Sequence, residues 1–213
     1  GNGQSELRAS PTALRPAAAR SIRIRDRDTT DASPRHVHND GVAHVPDDRQ
    51  HLGLVMEAPV YQNMELDSYH QEPYSGRVQM RWSEARRVSE GLVEQYDVRT
   101  PSIDATLGTL SGGNQQKVIV AREFARDTRL VIASQPTRGI DVGSIEYIHS
   151  RIVEERDAGS AVLIVSSELE EVMALADRII VMHAGRIAGE FDAATATTTE
   201  LGLAMLGSGS PRE

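Results

Sequence analysis

Three short apolar runs, each following a helical pattern, constrain the fold of this chain more than any other feature. They lie at residues 130–133, 161–165 and 179–182. Continuous apolar runs of this length are typical of strands that are buried on both faces of a parallel sheet. Strands that alternate with helices form right-handed βαβ units. The pattern therefore predicts an α/β fold with a mostly parallel sheet.

Composition narrows the class of function. The chain has 213 residues, 39% of them hydrophobic, which is enough for one sizeable α/β domain. It contains no cysteine, so disulfides and cysteine-based metal sites are excluded. The net charge of -8 and the aromatic content of 4% argue against a nucleic-acid partner.

The segment LSGGNQQK, at residues 110–117, precedes a predicted helix from about Gly113 to Arg126. Glycines let the backbone approach a ligand closely, and free amides at a helix start favour an anion. Taken alone, the same residues are also typical of an N-cap with glycines that allow close packing. The candidate phosphate-binding residues of this segment are Leu110, Ser111, Gly112, Gly113, Asn114 and Gln115.

The chain opens on a glycine-rich segment, Gly1-Asn2-Gly3-Gln4-Ser5. A domain rarely begins inside such a loop, so we expect that a strand precedes it and that the sequence is truncated at its start. On these residues alone, an Asn-Gly turn is the favoured interpretation.

Other local patterns predict individual elements. The helical spacing from Trp82 to Tyr96 predicts an apolar helix face in the core. Ser167 and Glu170 are spaced as a capping box at a helix start. His183-Ala184-Gly185 is typical of a hairpin turn. The residues of the apolar face are Trp82, Ala85, Val88, Leu92, Val93 and Tyr96.

These motifs together resemble the ATP-binding cassette family of P-loop NTPases, over nearly the whole chain. The closest resemblance is to the second, C-terminal cassette of the tandem ATPases of sugar and nucleoside importers. It rests on GNGQSEL at the start, HVPDDR at 44–49, LSGGNQQK and PTRGIDVG at 136–143. The segments at 94–102 and 145–149 favour the nucleoside branch.

The resemblance implies a RecA-like nucleotide-binding core with an inserted helical subdomain. The implied boundaries are 1–58 for the start of the core, 59–109 for the helical subdomain, 110–192 for the rest of the core and 193–213 for a C-terminal helix and tail. In this family two cassettes hold ATP between them. The signature segment of each cassette, which corresponds to LSGGNQQK here, faces the phosphate loop of the other. The segment from Leu110 to Gln115 would then serve the partner cassette, and Asp141 resembles the family's interface aspartate.

The resemblance also implies that the chain's own ATP site is degenerate. Gln4 stands where the phosphate-loop lysine belongs, and a neutral amide is a weaker donor to phosphate than an ammonium group. Ser134 and Gln135 replace the aspartate that supports Mg²⁺ and the glutamate that polarises water. Ser167 stands where the family has a histidine that contacts the γ-phosphate. The remaining nucleotide-binding candidates are Gly1, Asn2, Gly3, Ser5 as a weak Mg²⁺ ligand, and Asp47 at the family's Gln position.

The implied function is that of the peripheral ATPase of a bacterial importer at the cytoplasmic face of the inner membrane, with ATP and Mg²⁺ as cofactors. The implied partners are a first cassette of the same protein, integral permease subunits and, indirectly, a substrate-binding protein. Two alternatives stay open. One is a non-catalytic regulatory half, and the other is a soluble cassette protein without a transport role.

Overall fold

The predicted strand at 130–133 lies in a parallel sheet, at the middle of the strand order. This computed structural model describes residues 2–14, 21–24, 26–76 and 79–207. They form two units, Gly41–Val162 on the one hand and Gly1–Asp40 with Leu163–Glu213 on the other. The α/β fold with a parallel sheet that the sequence predicts is confirmed by this architecture.

The sheet of the first of these units begins with strand β3 (Val42–Val45), which pairs in parallel with β4 (Leu130–Ser134). The strand order is β3-β4-β5, with β5 at Ala161–Val165. Val131, Ile132 and Ala133 of β4 are fully buried. The expectation of a strand covered on both faces is therefore correct for β4.

Two long helices connect successive strands of this sheet along the chain. Helix α5 (Gly112–Phe124) packs against β3 and against α6 (Val142–Asp157). Ile148 and Ile152 of α6 are buried, as the helical spacing predicts. Because almost every residue of α5 after its first turn is buried, this helix occupies the centre of its unit.

A small group of helices lies between β3 and α5 in sequence. It contains a π-helix at Arg49–Gly53, α3 (Val60–Glu65) and α4 (Trp82–Gln95). The apolar face of α4 packs toward α3 through buried Ala85 and Leu92. Trp82 is a correction to the sequence prediction, because 48% of its surface is exposed; its ring lies perpendicular to that of Tyr61, with 6.3 Å between ring centroids. As the first residue of α4, it lies at the rim of the face.

The other unit is built from short elements around two hairpins. Strands β6 (Arg178–His183) and β7 (Arg186–Asp192) pair antiparallel, and residues Ile179 and Val181 form a core with Leu201 and Ala204. The described elements of this unit are α1 (Gln4–Ala9), β1 (Arg23–Ile24), β2 (Arg27–Asp28), α2 (Pro34–Asn39), α7 (Leu169–Leu175), β6 (Arg178–His183), β7 (Arg186–Asp192) and α8 (Thr198–Met205).

The apolar run at 179–182 was expected to form a parallel strand buried on both faces, and that expectation is wrong. Strand β6 pairs with β7 through the predicted turn, where Ala184 and Gly185 both have positive φ, 47° and 77°. A two-residue turn of this kind joins antiparallel strands. Ile180 consequently lies on an open face, with 41% of its surface exposed.

The predicted capping box at Ser167 and Glu170 is also wrong. Helix α7 has Glu168 as its N-cap residue, with no side-chain cap, and Ser166 Oγ accepts a hydrogen bond from the Glu168 amide at 3.0 Å. A full capping box occurs instead at α8, between Thr197 and Glu200. No helix among the described residues is long and apolar enough to cross a membrane.

Candidate functional site

Ser111 caps the N-terminus of α5, at the start of the LSGG segment. Its hydroxyl oxygen accepts from the backbone amide of Asn114 at 3.5 Å and from Asn114 Nδ2 at 2.9 Å. A serine hydroxyl has two acceptor lone pairs and one hydrogen to donate. Since Asn114 occupies the acceptor side, the Ser111 hydrogen is left for an acceptor outside this turn.

Asn114 and Gln115 brace the same turn on its other side. Asn114 Oδ1 accepts from the backbone amide of Arg99 at 2.8 Å, which ties the helix start to the loop after α4. Gln115 is buried and donates from Nε2 to the carbonyl of Leu110 at 2.9 Å. The predicted phosphate-binding residues of this segment therefore also hydrogen-bond to one another.

The two glycines of the segment face groups of the same chain. A Cβ on Gly112 would lie 2.7 Å from Arg49 Nη2, and a Cβ on Gly113 would lie 2.0 Å from Ser144 Oγ. A Cβ on Gly113 would also meet Asp141 Oδ2 at 2.8 Å. Glycine at 113 is thus required by the close approach of the start of α6, whereas a Cβ at 112 would have to displace the end of the Arg49 side chain.

Asp141 caps helix α6 beside Gly113. Its carboxylate accepts from the Ser144 amide at 3.0 Å and from the Ser144 hydroxyl at 2.8 Å. These hydrogen bonds lower the pKa of Asp141 below its ordinary value, with a smaller contribution from the charge of Lys117. Asp141 is therefore an exposed, ionised carboxylate next to the glycines of the signature.

Lys117, the last residue of LSGGNQQK, is buried behind the helix start. Its ammonium group donates to the Asp97 carbonyl at 2.7 Å and to the Asp97 carboxylate at 2.6 Å, and it lies 4.3 Å from the centroid of the Tyr147 ring. Asp97 has a positive φ of 48°, which is uncommon for a residue other than glycine. Sequence reasoning missed this role, although the lysine is part of the motif.

The positions after β4 have a different character. Ser134 is the last residue of β4 and is 1% exposed, and its hydroxyl has no hydrogen-bond partner among the described residues. Gln135 follows with a positive φ of 48°, and its carbonyl accepts from the Arg138 amide at 3.1 Å. Asp47 lies after β3 and accepts from the Asp48 amide at 3.0 Å. These three residues belong to the unit Gly41–Val162.

The glycine-rich start belongs to the other unit. Asn2 accepts from the Gly185 amide at 3.1 Å through its carbonyl and from the Ala184 amide at 3.3 Å through Oδ1. Gly3 has a φ of 95° and is the N-cap of α1, which begins at Gln4. Gly1 and the side chain of Ser5 lie outside the described residues. Ser167 precedes α7 in the same unit. Because the candidate residues belong to two different units, their assembly around one nucleotide stays a prediction.

The sequence is similar to those of import ATP-binding proteins. The guanosine import ATP-binding protein NupO of Bacillus subtilis is 45% identical over 208 residues, which is 98% of this chain and 41% of that protein. The nucleoside import ATP-binding protein NupA of Lactococcus lactis subsp. cremoris is 44% identical, over 97% of this chain and 41% of that protein. No protein-family model matches the chain.

Among solved structures, the dimeric post-hydrolysis state of an ATP-binding cassette bound to ADP and Pi superposes with a TM-score of 0.74. It is 20% identical, and the match covers 90% of this chain and 81% of that one. The chain belongs to the ATP-binding cassette family. It spans about two-fifths of the length of the curated relatives it matches, 41% for both NupO and NupA.

The donor set after β4 of this cassette does not fit a catalytic magnesium site. A hard cation such as Mg²⁺ is held in nucleotide sites by carboxylates and phosphates. Ser134 and Gln135 offer a neutral hydroxyl and a neutral amide, and no carboxylate occurs from there until Asp141. Asp141 is already engaged with Ser144. The signature turn of the cassette, by contrast, presents a hydroxyl hydrogen beside a helix start, which suits a phosphate oxygen.

Proposed function

We propose that this chain is the C-terminal cassette of a tandem ATP-binding protein that energises the import of nucleosides, with simple sugars as the alternative class of solute. One observation carries the proposal. The signature turn is assembled, with Ser111 held by Asn114 and its hydrogen available, while Ser134 and Gln135 stand where cation-binding and water-polarising carboxylates belong.

In this proposal the segment from Leu110 to Gln115 closes over ATP that is bound with Mg²⁺ to the first cassette. Ser111 donates to the γ-phosphate, and the amides at the start of α5 add partial positive charge. Asp141 reaches the same interface. This half-site stabilises the transition state of hydrolysis through hydrogen bonds that are formed before the reaction begins.

The chain's own site contributes little turnover in this proposal. Gln4 cannot supply the charge of a phosphate-loop lysine, and Gln135 can orient a water molecule but cannot accept its proton. Ser167 cannot provide the imidazole expected at its position. Losing one preorganised contact typically lowers a rate about 10²- to 10³-fold. Nucleotide bound at this site therefore holds the two cassettes together more than it is consumed.

The proposed partners are the first cassette, integral permease subunits and, through them, a substrate-binding protein at the membrane. The proposed location is the cytoplasmic face of a bacterial inner membrane. The names of NupO and NupA support the nucleoside class, since the relatives with sugar names are less similar, such as the glucose import ATP-binding protein of Haloferax volcanii at 40% identity. The degenerate positions also favour a second candidate, a regulatory half without turnover, which binding of an ATP analogue with and without the first cassette would test.

The test is ATP hydrolysis by the tandem protein after its first cassette loses the phosphate-loop lysine. We expect turnover to fall by about 10²-fold or more, because only the degenerate site remains. Arg87→Gln, an exposed arginine on α4 paired with Glu84 at 2.8 Å, serves as the matched control and should retain full turnover. Substantial hydrolysis by the lysine-free variant would refute the proposal.

A further inference from the structure

Arg49 lies between the signature turn and the loop that carries Asp141. Its guanidinium donates from Nη1 to the Arg138 carbonyl at 2.7 Å and from Nη2 to the Gly139 carbonyl at 3.2 Å. Hydrogen bonds from a charged, planar fork are roughly twice as strong as neutral ones, and they fix direction as well as distance. Arg49 therefore holds two successive carbonyls of the turn that follows β4.

The same guanidinium touches the signature. The Cβ that Gly112 lacks would lie 2.7 Å from Arg49 Nη2 and 3.2 Å from the Gly139 carbonyl oxygen. On the next residue, the missing Cβ of Gly113 leaves room for Ser144 and Asp141. The first turn of α5 and the segment Pro136–Gly143 are thus packed on each other, with Arg49 filling the contact.

Arg49 is itself held by its own segment. It opens the π-helix Arg49–Gly53, whose N-cap residue Asp48 accepts from the His51 amide at 3.1 Å. At the other end, the Gly53 carbonyl accepts from Arg122 Nη1 at 2.9 Å, and a Cβ on Gly53 would lie 2.8 Å from Ile119 Cδ1. Both Arg122 and Ile119 belong to α5. The π-helix therefore braces α5 while presenting Arg49 to its N-terminus.

We propose that Arg49 is a positioning residue, which fixes the spacing between the signature hydroxyl of Ser111 and the interface carboxylate of Asp141. This inference rests on the proposed function, in which Ser111 meets the nucleotide of the first cassette while Asp141 reaches the same interface. Arg49 acts through the carbonyls of Arg138 and Gly139 and needs no contact with ATP. Without it, the loop and the helix start shift separately, and a misplacement of about 1 Å can lower a rate about 10²-fold.

The test compares Arg49→Gln and Arg49→Lys with Arg87→Gln in the tandem protein. For Arg49→Gln we expect kcat to fall about 10- to 100-fold, while KM for ATP changes by less than about threefold. Arg49→Lys can reach one carbonyl and should recover part of kcat. Arg87→Gln should match the wild type. A residue that only stabilised the fold would lower the melting temperature and leave kcat per folded molecule unchanged, and that result would overturn the proposal.

Amide hydrogen exchange supplies a readout that does not depend on hydrolysis. In nucleotide-free tandem protein, Arg49→Gln should speed exchange of the amides at 139–143 by about tenfold or more, and exchange within α4 should stay as in the wild type. Exchange at 139–143 equal to that of the wild type would overturn the positioning role. If the wild type itself hydrolyses no ATP, the proposed function fails, but faster exchange in Arg49→Gln still supports the link between the loop and the helix start.

Discussion

At the scale of single residues, Glu65 is a buried carboxyl group whose pKa is shifted by its surroundings. It ends α3, is 4% exposed, and its Oε2 has no hydrogen-bond partner among the described residues. Burial raises the pKa of Glu65 from its ordinary 4.5 to about 7. Between pH 4.5 and about 7, Glu65 therefore keeps its proton in the folded protein and loses it in the unfolded chain.

The sign of the pH dependence follows from that shift. Because the folded pKa is higher, the contribution of Glu65 to stability is fully present below pH 4.5 and is lost as the pH rises through about 7. We expect Glu65→Gln, which cannot ionise, to be more stable than the wild type by about 1–3 kcal/mol at pH 8 and nearly equal to it at pH 5. Urea unfolding of both proteins from pH 5 to 8 measures the difference.

Glu90 provides the control for this prediction, since it is an exposed glutamate on α4. Glu90→Gln should change stability by a few tenths of a kcal/mol at each pH, as surface substitutions usually do. If Glu65→Gln and the wild type gave parallel curves of unfolding free energy against pH, Glu65 would be ionised in the folded protein throughout this range.

At the scale of elements, the starts of α5 and α6 depend on one close contact. Gly113→Ala would set a methyl group 2.0 Å from Ser144 Oγ and 2.8 Å from Asp141 Oδ2, the two groups that form the cap of α6. We expect this variant to lose about 1–3 kcal/mol of unfolding free energy, although alanine favours a helix over glycine. Urea unfolding at neutral pH is the measurement.

Gly91 is the matched control, because it lies inside α4 and nothing lies within 4 Å of its missing Cβ. Gly91→Ala should gain up to about 1 kcal/mol through helix propensity alone. Equal effects of the two substitutions would show that the approach of α6 does not require glycine at 113.

The sequence predicted an element correctly where the residues that determine it are neighbours in the chain. Helix α5 and the turn at Ala184–Gly185 follow from residues that are neighbours in the chain, and both predictions are confirmed. The apolar run of β6 could not reveal whether its partner strand was parallel, because both kinds of strand read alike over five residues. The contacts of Arg49 could not be predicted at all, since they join residues 89 and 90 positions apart.

At the scale of the whole molecule, the candidate site residues are divided between the two units. Gln4 and Ser167 belong to one, and Ser134, Gln135 and the whole signature belong to the other. No single segment of the sequence carries all of these residues, so only the family resemblance, and no local pattern, predicts that they serve one site. The proposed degeneracy of that site follows from residue chemistry, because an amide at the lysine position and a hydroxyl at the aspartate position weaken phosphate and cation binding.

The proposed tandem protein allows a prediction in which the missing chemistry is restored. Gln4→Lys, Ser134→Asp and Gln135→Glu together return the phosphate-binding charge, the magnesium ligand and the water-polarising base. In protein whose first cassette lacks its phosphate-loop lysine, we expect the triple variant to raise ATP turnover by about 10²-fold over that background. Gln4→Lys alone should raise it far less, because such groups act as a unit.

The control for this gain is Gln95→Lys, which adds the same charge at an exposed position at the end of α4. It should leave the residual turnover unchanged. Steady-state phosphate release from the purified proteins, with ATP binding measured in parallel, separates restored chemistry from restored affinity. If the triple variant bound ATP and still turned over at the background rate, the three positions would not be what limits turnover at this chain's own site. The limit would then lie at Ser167, which the triple variant leaves unchanged, or in the signature that the first cassette presents to this one.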